Sequence, residues 1–176
     1  MAVVLAVMTQ QNTHTQVGPS DLQTLRIRLQ KADLLAIPVD VEEIAEFLGL
    51  DIRSELMKDD ISGYLEYQNG AWIVGVNAQH HVNRQRFTIA HEIAHYILHR
   101  DPKKEFVDET FARRSSGGDK VEREADEFAA ELLMPEQDIR KAIEQGRTSF
   151  QELATLFRVS ALAIRFRVKA LGYAVK

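Results

Sequence analysis

Between Asn83 and His99 apolar residues return at three- and four-residue steps, at Phe87, Ala90, Ala94, Ile97 and Leu98, which predicts a helix. A second helical period runs from about Lys120 to Met134, with Ala125, Phe128, Ala129, Leu132 and Leu133 as its apolar face, and Pro135 ends it. Alternation replaces this period earlier in the chain. Ile61 to Tyr67 and Ala71 to Val76 flank Gln68-Asn69-Gly70, a strong hairpin signal, and Asp51 to Leu56 predicts another strand. Before these, Ser20 or Asp21 can cap a helix through about Ala32. Asp40 caps a short second helix, with Glu43 completing a capping box and Gly49 stopping that helix. Residues 101–120 are charged and turn-rich, ending in Ser115-Ser116-Gly117-Gly118, with an edge strand expected around Glu105 to Phe111. Three shorter helices are expected over 136–144, 148–157 and 160–171.

These elements predict an α+β fold: a small antiparallel or mixed sheet, two long helices and a helical C-terminal tail. The division expected is a flexible arm over 1–20, a core over 21–135 and a helical extension over 136–176 packed on that core. The apolar start, Met1 to Met8, is too short to span a bilayer and has no basic region before it, so a cytoplasmic protein without membrane contact is expected.

Composition narrows the chemistry. There is no cysteine among 176 residues, which removes thiol catalysis, disulfides and thiolate metal sites. Any metal must sit on His, Asp or Glu. The net charge of −4 argues against nucleic-acid binding as the main task.

His91-Glu92-Ile93-Ala94-His95 lies inside the first of the long helices. Histidines four residues apart project from one helical face, so both can grip one Zn²⁺, and the Glu between them can take a proton from the attacking water. His and carboxylate ligands also suit Mn²⁺. A third ligand must come from a neighbouring element. The helix over 120–134 is the strongest candidate: Glu122 extends its buried face, Glu124 is the alternative, and Glu127 and Glu131 are expected in solvent. Asp126 shares a face with Glu122 at i,i+4 and can accept the free N–H of a ligand imidazole.

The stretch Arg86-Phe87-Thr88-Ile89-Ala90-His91-Glu92-Ile93-Ala94-His95, followed by Glu122-Arg123-Glu124-Ala125-Asp126-Glu127-Phe128-Ala129-Ala130-Glu131-Leu132-Leu133-Met134-Pro135, resembles the ImmA/IrrE-type metallopeptidases. The likeness covers roughly residues 20 to 172. It implies a bacterial or phage-related zinc peptidase with a gluzincin-like site, in which His91, His95 and Glu122 are metal ligands and Glu92 is the catalytic base. It also implies a protein substrate, commonly a helix-turn-helix repressor. Two other classes stay open: a non-catalytic metal-binding regulator that binds protein or DNA, and a toxin–antitoxin component.

Other features have bland readings beside sharp ones. Phe150 to Leu171 resembles a helix-turn-helix, but Arg158 stands where the turn favours Gly, so a packed helical pair with a solvated basic face is preferred to DNA binding. His80 and His81 are read as a solvated helix start. His99 is read as surface or as support for a ligand, since one straight helix cannot wrap three ligands around an ion. Tyr64, Tyr67 and Trp72 suit either a substrate cleft or cross-strand packing. No spacing singles out an oxyanion donor among Tyr96, His80, His81, His99 and Arg86.

Overall fold

A computed structural model describes residues 20–100, 106–109 and 120–173. Helices α1 (Ser20–Lys31) and α2 (Val41–Phe47) lead into strand β1 (Leu50–Glu55) and the hairpin of β2 (Ile61–Gln68) and β3 (Ala71–Asn77). Helix α3 (Val82–Leu98), strand β4 (Phe106–Glu109) and helix α4 (Lys120–Leu133) follow. Helices α5 (Glu136–Glu144), α6 (Phe150–Phe157) and α7 (Ala161–Ala170) complete the α+β fold. The predicted arm, but for Ser20, and the Ser115 to Gly118 turn lie outside the described residues.

The sheet is mixed, in the order β1-β3-β2-β4. β1 runs parallel to β3, with Leu50 beside Trp72, and the other two pairings are antiparallel. Asn69 and Gly70 both take positive φ, the geometry that a two-residue hairpin turn demands. β4 is the edge strand expected from the sequence. The β2–β4 register shifts between Ile61 and Gly63.

α3 lies on the sheet face built by Gly63, Leu65, Val74 and Val76, and α4 packs beside it. This burial differs from the single apolar stripe predicted. Every residue from Thr88 to His95 is buried, because sheet and helices cover α3 on more than one side. Ala90, Ala94, Ala125 and Ala129 are fully buried in the same cluster as Leu65 and Val74. Side chains this small let α3 and α4 approach closely, bringing the acidic start of α4 to the histidines.

The C-terminal helices share this cluster through Leu153, Phe157, Ile164 and Val168. Polar ties reinforce it. Asn83 donates to the Val159 carbonyl at 3.1 Å, and Arg86 donates to the carbonyls of Arg158 at 3.2 Å and Val39 at 2.7 Å. Arg167 turns inward to pair with Glu131 and donates to the Met134 carbonyl at 3.1 Å. Arg26 reaches the same Glu131 at 3.4 Å. Glu131 is therefore paired where solvent was expected, and Arg167 leaves the solvated basic face, since a half-buried guanidinium needs acceptors.

Arg158 closes α6 in the left-handed region, with φ 51° and ψ 51°. The turn thus adopts the backbone that usually favours Gly, and the identity of residue 158 does not weigh against helix-turn-helix geometry. At α2, Asp40 accepts from the N–H groups of Glu42 and Glu43, while a full reciprocal capping box forms at Ser149 and Glu152 of α6.

Candidate metal centre

The helical repeat sets His91 and His95 one above the other on α3, with their Nε2 atoms 2.9 Å apart. Glu122, in the first turn of α4, closes the triangle: its carboxylate oxygens lie 3.3 Å from His91 Nε2 and 3.4 Å from His95 Nε2. These three are the group of potential ligands that converges among the described residues, all within 4.8 Å of one another. Metal–ligand bonds of about 2.1 Å at tetrahedral angles require ligand atoms roughly 3.4 Å apart. The two edges that Glu122 makes match one ion of that size, and the 2.9 Å edge between the imidazoles is about 0.5 Å shorter.

Both imidazoles are buried, whereas the side chain of Glu122 keeps 29% of its exposure. Burial works against a charge on His91, but hydrogen bonds to Asp126 and Glu122, with the charge of Glu92, hold its pKa up at about 9. For His95 burial prevails over the bond to Glu122, and its pKa is lowered. Burial would raise the Glu122 carboxyl, yet its two histidine partners hold it well below the usual range. An imidazole loses its proton before it binds a metal, so proton and metal compete for this cluster.

Asp126, one turn along α4, meets His91 from behind, with Oδ1 2.9 Å from Nδ1. That contact leaves Nε2 of His91 turned towards Glu122. Glu92 is fully buried on the same helix. Its Oε1 lies beneath Gly63 of β2, where an added Cβ would stand 3.6 Å away. Glu124 lies outside the triangle and contacts His99 at 3.2 Å. Glu127 is exposed.

The remaining sequence candidates separate. His81 caps α3, its Nδ1 accepting the Asn83 N–H at 3.2 Å, and His80 is half-buried at the same end. Arg86 has a structural task, as its bonds to Val39 and Arg158 show. Tyr64 packs over Gly75 and donates to Glu55 at 3.1 Å. Tyr67 and Trp72 form an aromatic row with Tyr96 of α3, at centroid distances of 5.3 and 5.7 Å. The three hairpin aromatics therefore do not line one cleft, because neighbouring strand positions face opposite ways. The Arg86 tether and the contact of His99 with Glu124 were not foreseen; the i,i+4 spacing of His95 and His99 was the signal for the latter.

A peptidase family model described as the IrrE N-terminal-like domain matches residues 45–169. The chain belongs to that family. The IrrE N-terminal-like match takes in α3 and α4, the sheet and all three C-terminal helices. Among similar curated proteins, the uncharacterized immunity region protein 2 of Bacillus phage phi105 is 28% identical over 94 residues, or 53% of this chain and 58% of that protein. Metallopeptidase ImmA of Bacillus subtilis strain 168 is 25% identical over 122 residues, or 66% of this chain and 70% of its own length. The chain thus spans 58% of the phage relative and 70% of ImmA. Membership of a peptidase family with a metallopeptidase relative agrees with a centre built from two histidines and a carboxylate.

Proposed function

We propose that the chain is a zinc-dependent peptidase in which His91, His95 and Glu122 hold the metal and Glu92 is the general base. The convergence of the two Nε2 atoms and the Glu122 carboxylate carries this reading. Zinc bound there supplies Lewis acidity, polarising the scissile carbonyl and easing the loss of a proton from water. Glu92 takes that proton as water attacks the carbonyl carbon and passes it to the leaving amine as the C–N bond breaks. Asp126 accepts from Nδ1–H of His91 and so keeps Nε2 as the ligand atom. Mn²⁺ is the alternative ion for the same donors.

The substrate proposed is a regulatory protein of the helix-turn-helix repressor type, and the setting is the cytoplasm. The family likeness and the metallopeptidase relative support the peptidase; the repressor rests on the likeness to ImmA/IrrE-type proteins. No helix among the described residues is long and apolar enough to cross a membrane. The test is incubation of the zinc-loaded chain, and of its Glu92→Gln variant, with a helix-turn-helix regulator from the same genome as the substrate. Cleavage by the wild type and a loss of about 10²-fold or more in the variant, at equal zinc content, is the expected result. Equal cleavage by both would remove Glu92 from its role, and an intact regulator under both would remove the proposed substrate.

A further inference from the structure

Near the start of α4 acidic residues fall at every second position, Glu122, Glu124 and Asp126. Glu122 faces both Nε2 atoms, and Asp126 backs Nδ1 of His91. His95 also has an Nδ1, and there it meets His99. Its Nδ1 lies 3.2 Å from Nδ1 of His95, and its Nε2 lies 3.2 Å from Oε2 of Glu124. Lys120 holds the other oxygen of that carboxylate at 3.4 Å.

We propose that His99 and Glu124 form a strut that orients His95 as a ligand, matching what Asp126 does for His91. This rests on the reading that His91, His95 and Glu122 hold a metal. The proton count supports one arrangement. With Nε2 of His95 given to the metal, its Nδ1 carries the hydrogen and donates it. Nδ1 of His99 must then be the acceptor, which leaves Nε2 of His99 as the N–H that donates to Glu124. Every hydrogen in this chain has an acceptor, and a carboxylate ends it.

Spacing explains why the strut needs two residues. His95 and His99 are neighbours on one helical face, so the second imidazole lies within reach of the first. The α4 carboxylate that arrives at this level is Glu124, which meets the outer ring. The side chain of His99 is 12% exposed and that of Glu124 is 42% exposed, so the strut runs from the buried ligand out to the surface. His91, by contrast, has a charged acceptor in direct contact. His99 and Glu124 are positioning residues: they act on the metal through His95.

The test measures zinc affinity by chelator competition, and the visible spectrum of the cobalt-loaded protein, for the full chain and its variants. His99→Leu is expected to lower zinc affinity about tenfold or more and to alter the cobalt spectrum. His99→Asn places an oxygen acceptor as many bonds from Cβ as Nδ1 is, and is expected to restore affinity to within about threefold of wild type. Glu124→Ala, at a partly exposed position, is expected to weaken zinc several-fold while leaving the unfolding midpoint of the metal-free protein unchanged. Wild-type affinity and spectrum in both His99→Leu and Glu124→Ala would overturn the strut. Should His99→Leu fail to fold, His99→Asn and Glu124→Ala decide: wild-type behaviour in Glu124→Ala, or tenfold loss in His99→Asn, would overturn it. His95→Ala separates the two ideas. A wild type that takes up no zinc, or a His95→Ala that keeps it, sinks the metal centre itself; zinc lost in His95→Ala but unaffected in His99→Leu and Glu124→Ala sinks the strut alone.

Discussion

Gly63 of β2 stands directly over the carboxylate of Glu92 on α3. A Cβ at position 63 would lie 3.6 Å from Oε1 and would overlap the methyl of Thr88 and the carbonyl oxygen of Gly75. The missing side chain lets the helix carrying the proposed base press against the sheet. Gly63→Ala is expected to lower stability by about 1–3 kcal/mol, because a backbone carbonyl and a buried methyl cannot move aside as a surface chain would. Urea denaturation measures this, and an unchanged midpoint would contradict the close approach.

Glu122 and Asp126 share α4 but touch the histidines differently. Glu122→Ala removes a carboxylate from the triangle and is expected to abolish stoichiometric zinc after dialysis. Asp126→Ala leaves the triangle whole and removes only the partner of His91 Nδ1, so a loss of about 10–100-fold in zinc affinity is expected. Metal analysis and chelator titration distinguish the two. Stoichiometric zinc in Glu122→Ala would exclude it as a ligand.

The charged cluster predicts opposite pH trends with and without metal. In the metal-free protein His91 is raised from 6.5 to about 9, so its contribution to stability is complete below 6.5 and is lost as pH rises through about 9. Glu122 is depressed from 4.5, so its contribution is present above 4.5 and is lost as pH falls through its lowered value. Zinc must displace the His91 proton, so the stabilisation it confers grows as pH rises towards 9. Thermal unfolding with zinc and with chelator, from pH 6 to 9, is expected to show a widening gap. A gap that narrows would reverse the proton competition.

Arg86 is a buried tether. It is 6% exposed and bonds the carbonyls of Val39 and Arg158. Arg86→Met keeps the bulk but strands both acceptors, at a cost of about 2–4 kcal/mol. Arg165→Ala, on the exposed side of α7, is expected to stay within about 0.5 kcal/mol of wild type. Equal stability in the two variants would show that the Arg86 bonds do not hold α2 and α6 to α3.

Much of this protein is legible along the chain because it depends on local geometry. The i,i+4 spacing of His91 and His95, the Asn69-Gly70 turn and the Asp40 cap follow from neighbours in sequence, and so did the helices and strands that carry them. Glu122 was the preferred acid on α4 from its place above the buried face, but no local rule excluded Glu124. Only the packing of α3 against α4 put Glu122 between the two Nε2 atoms and Glu124 against His99.

The same limit applies to charged residues that the sequence alone assigns to solvent. Glu131 and Arg167 each look like surface residues, yet they meet across α4 and α7 once the helices dock. Arg158 is left-handed because the α6–α7 turn requires it, and its carbonyl is held by Arg86 of a distant element. The sequence by itself determined the element types and the paired histidines, since these depend on residues a few positions apart. The tertiary structure decided which acid faces which nitrogen, because that choice is set by contacts between helices far apart in the chain.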